Sequence, residues 1–384
     1  MSLNHAQTEA VAHNKGPCMV LAGPGSGKTL TIAKRIEYLI MKHKVRPEEI
    51  LVITFTKYAA WEMKNRTRSI CGPSSYAVTF GTFHGIYYGI LKWAYRLNQS
   101  NLLSDEEKYR ILREILPGID WDQEPEADEE KDYLQELAIE IGNVKNNCMD
   151  IEEYEPVKYT TEKFRKLYRT YEETKKKYRK IDFEDMLIQC RDLFMKRPDI
   201  LKKWQEKFQY ILVDEFQDVN QAQYDVVRML AAPQDNLFVV GDDDQSVYGF
   251  RGAKPGIMME FMKDYPKARQ ILLDVNYRSS GYIVKGALRV IGNNKIRFEK
   301  KIEAFRKPDE TVHVQEVKDP VQEAEYVLER IREYREKGVS YTEMAVLYRT
   351  NVDARAMSEL MTEYQIPFVM KEHLNNIYEH FIAQ

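Results

Sequence analysis

A glycine-rich segment near the amino terminus has the residue types that bind phosphate. It reads MVLAGPGSGKT, Met19–Thr29, and lies between an apolar, strand-like run and a helical pattern. Glycines let backbone amides turn towards phosphate oxygens, where a Cβ would obstruct them. A lysine can neutralise the outer phosphates, a threonine hydroxyl can ligate Mg²⁺, and the start of a helix adds positive potential. The segment therefore predicts a site for ATP and Mg²⁺ formed by Ala22, Gly23, Pro24, Gly25, Ser26, Gly27, Lys28 and Thr29.

A second segment places two acids at the end of an apolar run. Tyr210–Val213 is followed directly by Asp214 and Glu215. Because side chains alternate along a strand, neighbouring acids cannot point the same way, and a division of roles is natural. Asp214 is the candidate for holding Mg²⁺, commonly through water, and Glu215 the candidate for orienting or deprotonating an attacking water. The alternative is a polar loop that only caps the strand.

Both segments need a scaffold that brings strand ends together. Short apolar runs alternate with helical patterns, which predicts an α/β fold with a parallel sheet. The strands expected in this sheet are Cys18–Ala22, Ile50–Thr54, Ala77–Phe80, Tyr210–Val213, Leu237–Val240 and Gln270–Leu273. Between Trp93 and Lys180 the pattern is helical and charged, which predicts an insertion. A second α/β series is expected later, with strands Val312–Val317 and Met344–Tyr348 and helices Ser280–Ile291, Val321–Glu336 and Ala354–Tyr364.

Bulk composition favours a soluble globular protein. The 384 residues are 43% hydrophobic and 30% charged, with a net charge of −3. At roughly 100–200 residues per domain, this length accommodates two or three domains. The first residues do not resemble a signal peptide, and no apolar run reaches the ~18 residues of a spanning helix, so we expect a cytoplasmic location. The basic stretch Lys163–Lys180 has two interpretations, a solvated helix face or a phosphate-binding surface.

Further motifs follow one another along the chain in a fixed order. They are LNHAQ (Leu3–Gln7), ITFTKYAAWEMKNR, TFHG (Thr82–Gly85), DFEDML (Asp182–Leu187), DEFQD, VVGDDDQSVYGFRGA and LLDVNYRSS (Leu272–Ser280). With the phosphate-binding loop they closely resemble the superfamily 1 DNA helicases of the UvrD/Rep type. Lys57 and Tyr58 stand where this family usually has Asn and Lys, and Leu30 stands where it often has Arg.

The resemblance implies a RecA-like P-loop NTPase sheet with an inserted helical subdomain and an incomplete second RecA-like α/β lobe. The first lobe would comprise residues 1–93 and 181–276, the inserted subdomain residues 94–180, and the partial second lobe residues 277–384. The spacing of Lys28 and Asp214 agrees, because removing the insertion restores an ordinary distance between the two motifs.

The resemblance also assigns roles around the nucleotide. Gln7 would recognise adenine, Tyr277 would stack on it, and Gln245 would sense the γ-phosphate. Arg278 would act as an arginine finger, a contact generally worth ~10³–10⁵ in rate.

Single-stranded DNA is the partner that the resemblance implies, together with junctions between single and double strands. The family's stacking positions correspond to Phe55, Tyr248 and Phe250. Supporting contacts to the DNA would come from Thr54, Thr82, His84 and Arg251. Members of the family move 3′ to 5′ along DNA and hydrolyse ATP. They act with repair or replication proteins, at the nucleoid in a bacterium.

Three other functions are considered for this chain. The chain could be the helicase half of a helicase–nuclease, or a nucleotide-gated DNA-binding module with little hydrolysis. A small-molecule kinase shares the phosphate-binding loop but has no need of DEFQD, QSVYGFRG and NYRS. The family's later motifs, including TxHxxKGLE and a second catalytic Arg, are absent after Ser280. We therefore expect a truncated chain that binds ATP and DNA but hydrolyses and unwinds poorly.

Overall fold

The computed structural model describes residues 3–119, 130–247, 249, 254, 256–307, 311–350 and 353–370. Its strands, numbered along the chain, are β1 Cys18–Ala22, β2 Ile50–Thr54, β3 Thr79–Thr82, β4 Tyr210–Val213, β5 Leu237–Gly241, β6 Arg269–Leu273, β7 Val275–Ser280 and β8 Glu303–Arg306. Its helices are α1 His5–Ala12, α2 Lys28–Met41, α3 Lys57–Cys71, α4 Phe83–Tyr95, α5 Asp105–Ile115, α6 Glu130–Asn146, α7 Thr161–Lys177, α8 Phe183–Lys196, α9 Pro198–Lys207, α10 Gln221–Ala231, α11 Gly256–Asp264, α12 Gly281–Ile291, α13 Pro320–Glu336 and α14 Ala354–Glu363.

The first six strands form one parallel sheet in the order β3-β2-β4-β5-β1-β6. The α/β fold class expected from the sequence is confirmed, and β1, β2 and β4 have the predicted bounds. Because all six strands run the same way, their carboxyl ends meet at one edge. That edge brings together the phosphate-binding loop after β1, the acids after β4 and the Asp242–Gln245 turn after β5.

Both faces of this sheet are covered, which explains why its strands read as continuous apolar runs. Met19 and Leu21 of β1 face one core, which is completed by α4, α8, α10 and α11. Cys18 and Val20 face the other, under α1, α2 and α3. Alternation along the strand thus sends neighbouring residues into two separate cores.

The described part of the segment between α4 and α8 contains helices and no named strand, as predicted. Helices α5, α6 and α7 pack around their own apolar core, to which Ile111, Leu137 and Phe164 contribute. This insertion separates β3 from β4 along the chain while leaving the sheet intact.

Strands β7 and β8 follow β6 and form a two-stranded parallel sheet. Neither strand was predicted from the sequence. This sheet belongs to the first of two compact units, which ends at Thr311. In the second unit, α13 and α14 pack through Leu328, Ile331 and Met361. The predicted helices are present there, but residues 312–317 and 344–348 are not strands in the described structure. The alternating apolar residues of those two segments have no neighbouring described strand with which to pair.

Candidate functional site

The phosphate-binding loop has the backbone that its glycines predict. Gly25 and Gly27 adopt φ values of 63° and 84°, which favour residues without a Cβ. Ser26 is buried, and its hydroxyl donates to the Gly23 carbonyl at 2.7 Å. Helix α2 begins at Lys28, so its N-terminal end and that lysine lie at the same point. The loop can therefore present amides and one ammonium group to an anion.

Strand β7 brings the Tyr277–Arg278 pair to this loop. The Tyr277 amide donates to the Gly25 carbonyl at 3.0 Å. A Cβ on Gly25 would lie 2.7 Å from the Arg278 Cβ and 2.8 Å from the Asn276 Oδ1. Gly25 is thus needed for a close approach as well as for its turn, and the Arg278 side chain is exposed beside the loop.

The residues expected to recognise adenine meet on the other side of the loop. Gln7 is buried, and its Nε2 donates to the Ser26 carbonyl at 2.9 Å. Asn4 caps α1, forms a reciprocal pair of hydrogen bonds with Gln7, and donates to the Tyr277 hydroxyl at 2.9 Å. Asn4 was not selected from the sequence. Its signal was the N-cap spacing, Asn followed three residues later by Gln.

The paired acids after β4 have different contacts and opposite pKa shifts. Lys28 Nζ donates to Glu215 Oε2 at 2.9 Å, and Glu215 holds an uncommon φ of 51° for a residue with a side chain. Burial and the neighbouring Glu215 raise the pKa of Asp214 to about 7. Burial alone would raise the pKa of Glu215, but the Lys28 ammonium and the Gln217 amide lower it below its ordinary value. Among the described residues, Glu215 therefore has a cation at hydrogen-bonding distance and Asp214 does not.

Gln217 links these acids to the turn after β5. Its Nε2 donates to Glu215 Oε2 at 2.8 Å, and its Oε1 accepts from the Asp242 amide at 2.9 Å. The Asp242 carboxylate in turn accepts from Gln245 Nε2 at 2.5 Å. A continuous chain of contacts therefore runs from Lys28 to Gln245 across three strand ends.

A divalent cation fits the acids at this edge. Asp214 is only 6% exposed, and the amide of Glu215 donates to its Oδ1 at 3.0 Å. A buried carboxylate with a raised pKa lacks a compensating positive charge, which a hard cation such as Mg²⁺ would supply. Thr29 lies in the first turn of α2, next to Lys28, where a second oxygen ligand is available.

Four of the predicted DNA contacts, Thr54, Phe55, Thr82 and His84, lie at or just after the ends of β2 and β3. Phe55 and His84 line a cavity of about 430 Å³, and Thr82 uses its hydroxyl to accept from the Gly85 amide at the start of α4. Burial lowers the pKa of His84, which keeps its ring neutral near pH 7. Thr54 is fully buried, and its hydroxyl donates to the Thr56 carbonyl. Thr54 therefore braces the loop and does not face a ligand.

Residues 3–266 match the UvrD/REP helicase N-terminal domain, and residues 271–378 match the UvrD-like helicase C-terminal domain. The chain belongs to the UvrD/REP helicase family. The resemblance drawn from the motifs is thereby confirmed, and with it the RecA-type fold.

Relatives in this family match nearly the whole of this chain. YjcD of Bacillus subtilis (strain 168) is 38% identical over 395 residues, which span 100% of this chain and 51% of the relative. The ATP-dependent DNA helicase PcrA of Staphylococcus aureus (strain Mu50) is 35% identical over 376 residues, spanning 96% of this chain and 50% of the relative. The chain thus spans about half the length of the curated relatives it matches.

One aromatic residue beside the predicted DNA contacts was not selected from the sequence. Phe183 is 52% exposed at the start of α8, lines the same cavity as Phe55, and has its ring 5.5 Å from that of His84. The signal was an aromatic residue directly after an N-cap Asp, a position that leaves the side chain outside the helix–sheet packing. Tyr248, Phe250 and Arg251, the other predicted DNA contacts, lie outside the described residues.

The basic stretch Lys163–Lys180 is not a uniform phosphate-binding surface. Lys175 is buried and donates to Asp182 at 2.8 Å and to Asp185 at 2.5 Å. Lys180 is paired with Glu107 at 2.8 Å. Lys175 thus joins the insertion to the start of α8, whereas the Lys180 pair lies within the insertion. In the described part of the chain, no helix is long and apolar enough to cross a membrane.

Proposed function

We propose that this chain carries the ATP site and the DNA-binding face of an ATP-dependent DNA helicase that moves along single-stranded DNA. The observation that carries the proposal is the chain of contacts from Lys28 through Glu215, Gln217 and Asp242 to Gln245. It joins a phosphate-binding lysine, a candidate base and a candidate phosphate sensor. The names of the PcrA relatives, ATP-dependent DNA helicases, support the same conclusion.

The proposed reaction is in-line hydrolysis of the γ-phosphate. A water oxygen forms a bond to the γ-phosphorus, the bond to the bridging oxygen breaks, and ADP leaves with that electron pair. Glu215 accepts the proton of the attacking water, and Lys28 balances charge on the phosphate oxygens. Mg²⁺ held by Thr29 and Asp214 would neutralise further phosphate charge.

The Lys28–Glu215 pair sets the order of events in this reaction. In the described structure the ammonium neutralises Glu215 and helps to lower its pKa. A bound phosphate competes for the same ammonium. When Lys28 turns to the phosphate, the pKa of the buried Glu215 rises, because burial is then less opposed. Glu215 thereby becomes a stronger base only when the substrate is in place.

Nucleotide recognition and completion of the site fall to residues on both sides of the loop. Gln7 and Tyr277 hold the adenine, and Arg278 extends towards the phosphates from β7. An arginine in this role generally contributes ~10³–10⁵ in rate. Gln245 would report the γ-phosphate by exchanging its bond with Asp242 for one with a phosphate oxygen.

The DNA side of the proposal is supported by the aromatic cavity. Phe55, His84 and Phe183 provide ring faces, and a stacked base is typically worth ~1–3 kcal/mol. Asp218 and Asn220, in the loop that follows Asp214 and Glu215, line the same cavity. One short loop thus borders both the ATP edge and the DNA face, which suits an enzyme that couples the two.

The finer features of the proposal follow the family. They are 3′ to 5′ movement, preference for single strands and their junctions with duplex, and a role in DNA repair or replication beside other proteins. The location would be the cytoplasm, at the nucleoid in a bacterium.

A glutamate-to-glutamine exchange tests the proposal. Glu215→Gln keeps the size of the side chain but cannot accept a proton, so DNA-stimulated ATP turnover should fall by roughly 10²–10⁴-fold. Nucleotide affinity, measured by calorimetry, should be retained. Glu206→Gln, an exposed exchange on α9, is the matched control.

The outcomes separate the candidate functions. Unchanged turnover in Glu215→Gln would remove Glu215 from the reaction. Wild-type chain that binds ATP and single-stranded DNA, but shows no turnover that DNA stimulates, would support the nucleotide-gated binding module instead.

A further inference from the structure

The segment between α12 and β8 contacts the ATP edge at two points. Arg297, Phe298 and Lys300 bind the three consecutive aspartates after β5. Two residues later, Ile302 reaches the phosphate-binding loop, where a Cβ on Gly23 would lie 2.7 Å from its Cδ1. No motif in the sequence pointed to this segment. Its contacts place it beside the proposed γ-phosphate sensor.

Lys300 is the centre of these contacts. Its side chain is 1% exposed, and its Nζ lies 2.5 Å from Asp242 Oδ1, 2.5 Å from Asp243 Oδ1 and 2.7 Å from Asp244 Oδ2. Arg297 binds Asp244 through two guanidinium nitrogens, at 2.8 and 2.5 Å. Three acids are therefore balanced by two bases. Among the described residues, Lys300 is the cation that forms ion pairs with Asp242 and Asp243.

Asp242 connects Lys300 to the candidate phosphate sensor. One of its carboxylate oxygens accepts from Lys300, and the other accepts from Gln245 Nε2. Its backbone amide donates to Gln217, which also holds Glu215. A single carboxylate thus separates the ammonium of Lys300 from the amide of Gln245.

Along the chain, Lys300 shortly precedes β8. This strand pairs with β7, matching Glu303 with Val275 and Ala304 with Asn276. The Phe305 ring lies 5.1 Å from the ring of Tyr277. The segment therefore ties the aspartate turn to the strand that carries the Tyr277–Arg278 pair.

We propose that Lys300 is a positioning residue for γ-phosphate recognition. By neutralising Asp242 it weakens the hold of that carboxylate on the Gln245 amide, and it fixes the aspartate turn against β7 and β8. Gln245 can then exchange Asp242 for a phosphate oxygen while Arg278 stays in register. This inference rests on the proposed function, because it assumes that the site binds a nucleoside triphosphate.

Removing the ammonium has a consequence that distinguishes ATP from ADP. The uncompensated Asp242 holds Gln245 more strongly, and its charge repels an approaching γ-phosphate. Both effects act on the third phosphate and leave the adenine contacts of Gln7 and Tyr277 in place. Affinity for the triphosphate should therefore fall more than affinity for ADP.

The test compares Lys300→Met with Lys301→Met. The side chain of Lys301 is exposed, and the same exchange there is a matched control. Calorimetry with Mg²⁺ measures the affinity of each chain for ADP and for a non-hydrolysable ATP analogue. Lys300→Met should lower the ratio of the two affinities by roughly 10-fold, within the usual range of coupling between sites. Lys301→Met should leave the wild-type ratio unchanged.

Two further variants separate a positioning role from a merely structural one, and their results do not depend on the folding of Lys300→Met. Asp243→Asn removes one negative charge from the cluster, so it should leave the ATP preference equal to or above that of the wild type. Lys300→Arg keeps the positive charge and should keep most of the preference. A lowered preference in Asp243→Asn, or a full wild-type ratio in folded Lys300→Met, overturns the inference. Wild-type chain without affinity for the ATP analogue would instead overturn the proposed function.

Discussion

Two buried aspartates, Asp214 at the ATP edge and Asp182 at the start of α8, have opposite electrostatic surroundings. They are 6% and 1% exposed. Burial and the neighbouring Glu215 raise the pKa of Asp214 to about 7. Burial also acts on Asp182, but Lys145 and Lys175 outweigh it and hold its pKa well below the ordinary value. The difference is the presence of two ammonium groups, not the depth of burial.

The comparison separates acids that a lysine neutralises within the fold from an acid that has no such partner among the described residues. Glu172, Asp182 and Asp185 have the spacing of a metal site, as do Asp242, Asp243 and Asp244. In each group a lysine already lies where a cation would bind. Asp214 has no such lysine at hydrogen-bonding distance in the described structure. Of these acids, Asp214 is the one whose surroundings favour a metal ion.

The largest expected effect is on stability, at the cluster around Asp182. Lys175→Met removes one of the two ammonium groups that neutralise Asp182 and Asp185. Breaking a buried ion pair from one side generally costs about 3–5 kcal/mol. Urea unfolding should show a loss of this size, with little change for the exposed neighbour in Lys176→Met. A loss below about 1 kcal/mol, typical of an exposed pair, would mean that this cluster does not hold the insertion in place.

Removing the charge of Asp214 should change stability in the opposite direction. Its folded-state pKa is raised, so ionising it costs stability as pH rises from the unfolded value near 4 to about 7. Asp214→Asn should therefore stabilise the nucleotide-free chain at pH 8 by roughly 2–4 kcal/mol, and less at pH 5. The same exchange should weaken Mg²⁺-dependent ATP binding.

Unfolding midpoints at both pH values check this second prediction, with the wild type as reference. A variant that is less stable than the wild type at pH 8 would show that the carboxylate of Asp214 is already compensated within the fold. The contrast with Asp182 would then disappear.

A smaller effect is expected at Phe183, which the Asp182 cap presents at the cavity. If it stacks on a base, Phe183→Ala should weaken single-stranded DNA binding by ~1–3 kcal/mol. Met195→Ala truncates another exposed apolar side chain of α8 and serves as control. Fluorescence anisotropy with a labelled oligonucleotide measures both. Equal affinities of the two variants would limit the Asp182 cluster to a structural role.

Much of the first unit could be predicted from the sequence because its signals are local. Strands β1, β2 and β4 are apolar runs with clear ends, and the phosphate-binding loop is one continuous segment. The meeting of Lys28 with the acids after β4 also followed, since parallel strands end at one edge. Gln217, within DEFQD, bonds to Glu215 and to Asp242, and so connects two of the motifs found in the sequence.

What the sequence did not reveal depends on contacts between distant residues. Lys175 and Lys300 look like surface lysines in sequence, and only their aspartate partners explain their burial. Strands β7 and β8 pair across the intervening helix α12, so neither has a strong local pattern. The alternation at 312–317 and 344–348 suggested strands, but alternation stabilises a strand only where a partner is available.

The most direct test of the central claim is the ATP preference of Gln245→Ala. The claim is that the contacts from Lys28 to Gln245 recognise the γ-phosphate. A hydrogen bond to a charged group contributes about 1.5–3 kcal/mol, so the variant should lose roughly 10- to 150-fold in affinity for a non-hydrolysable ATP analogue. Its affinity for ADP, measured by calorimetry under the same conditions, should match that of the wild type. Equal losses for both nucleotides, or no loss for either, would contradict the account.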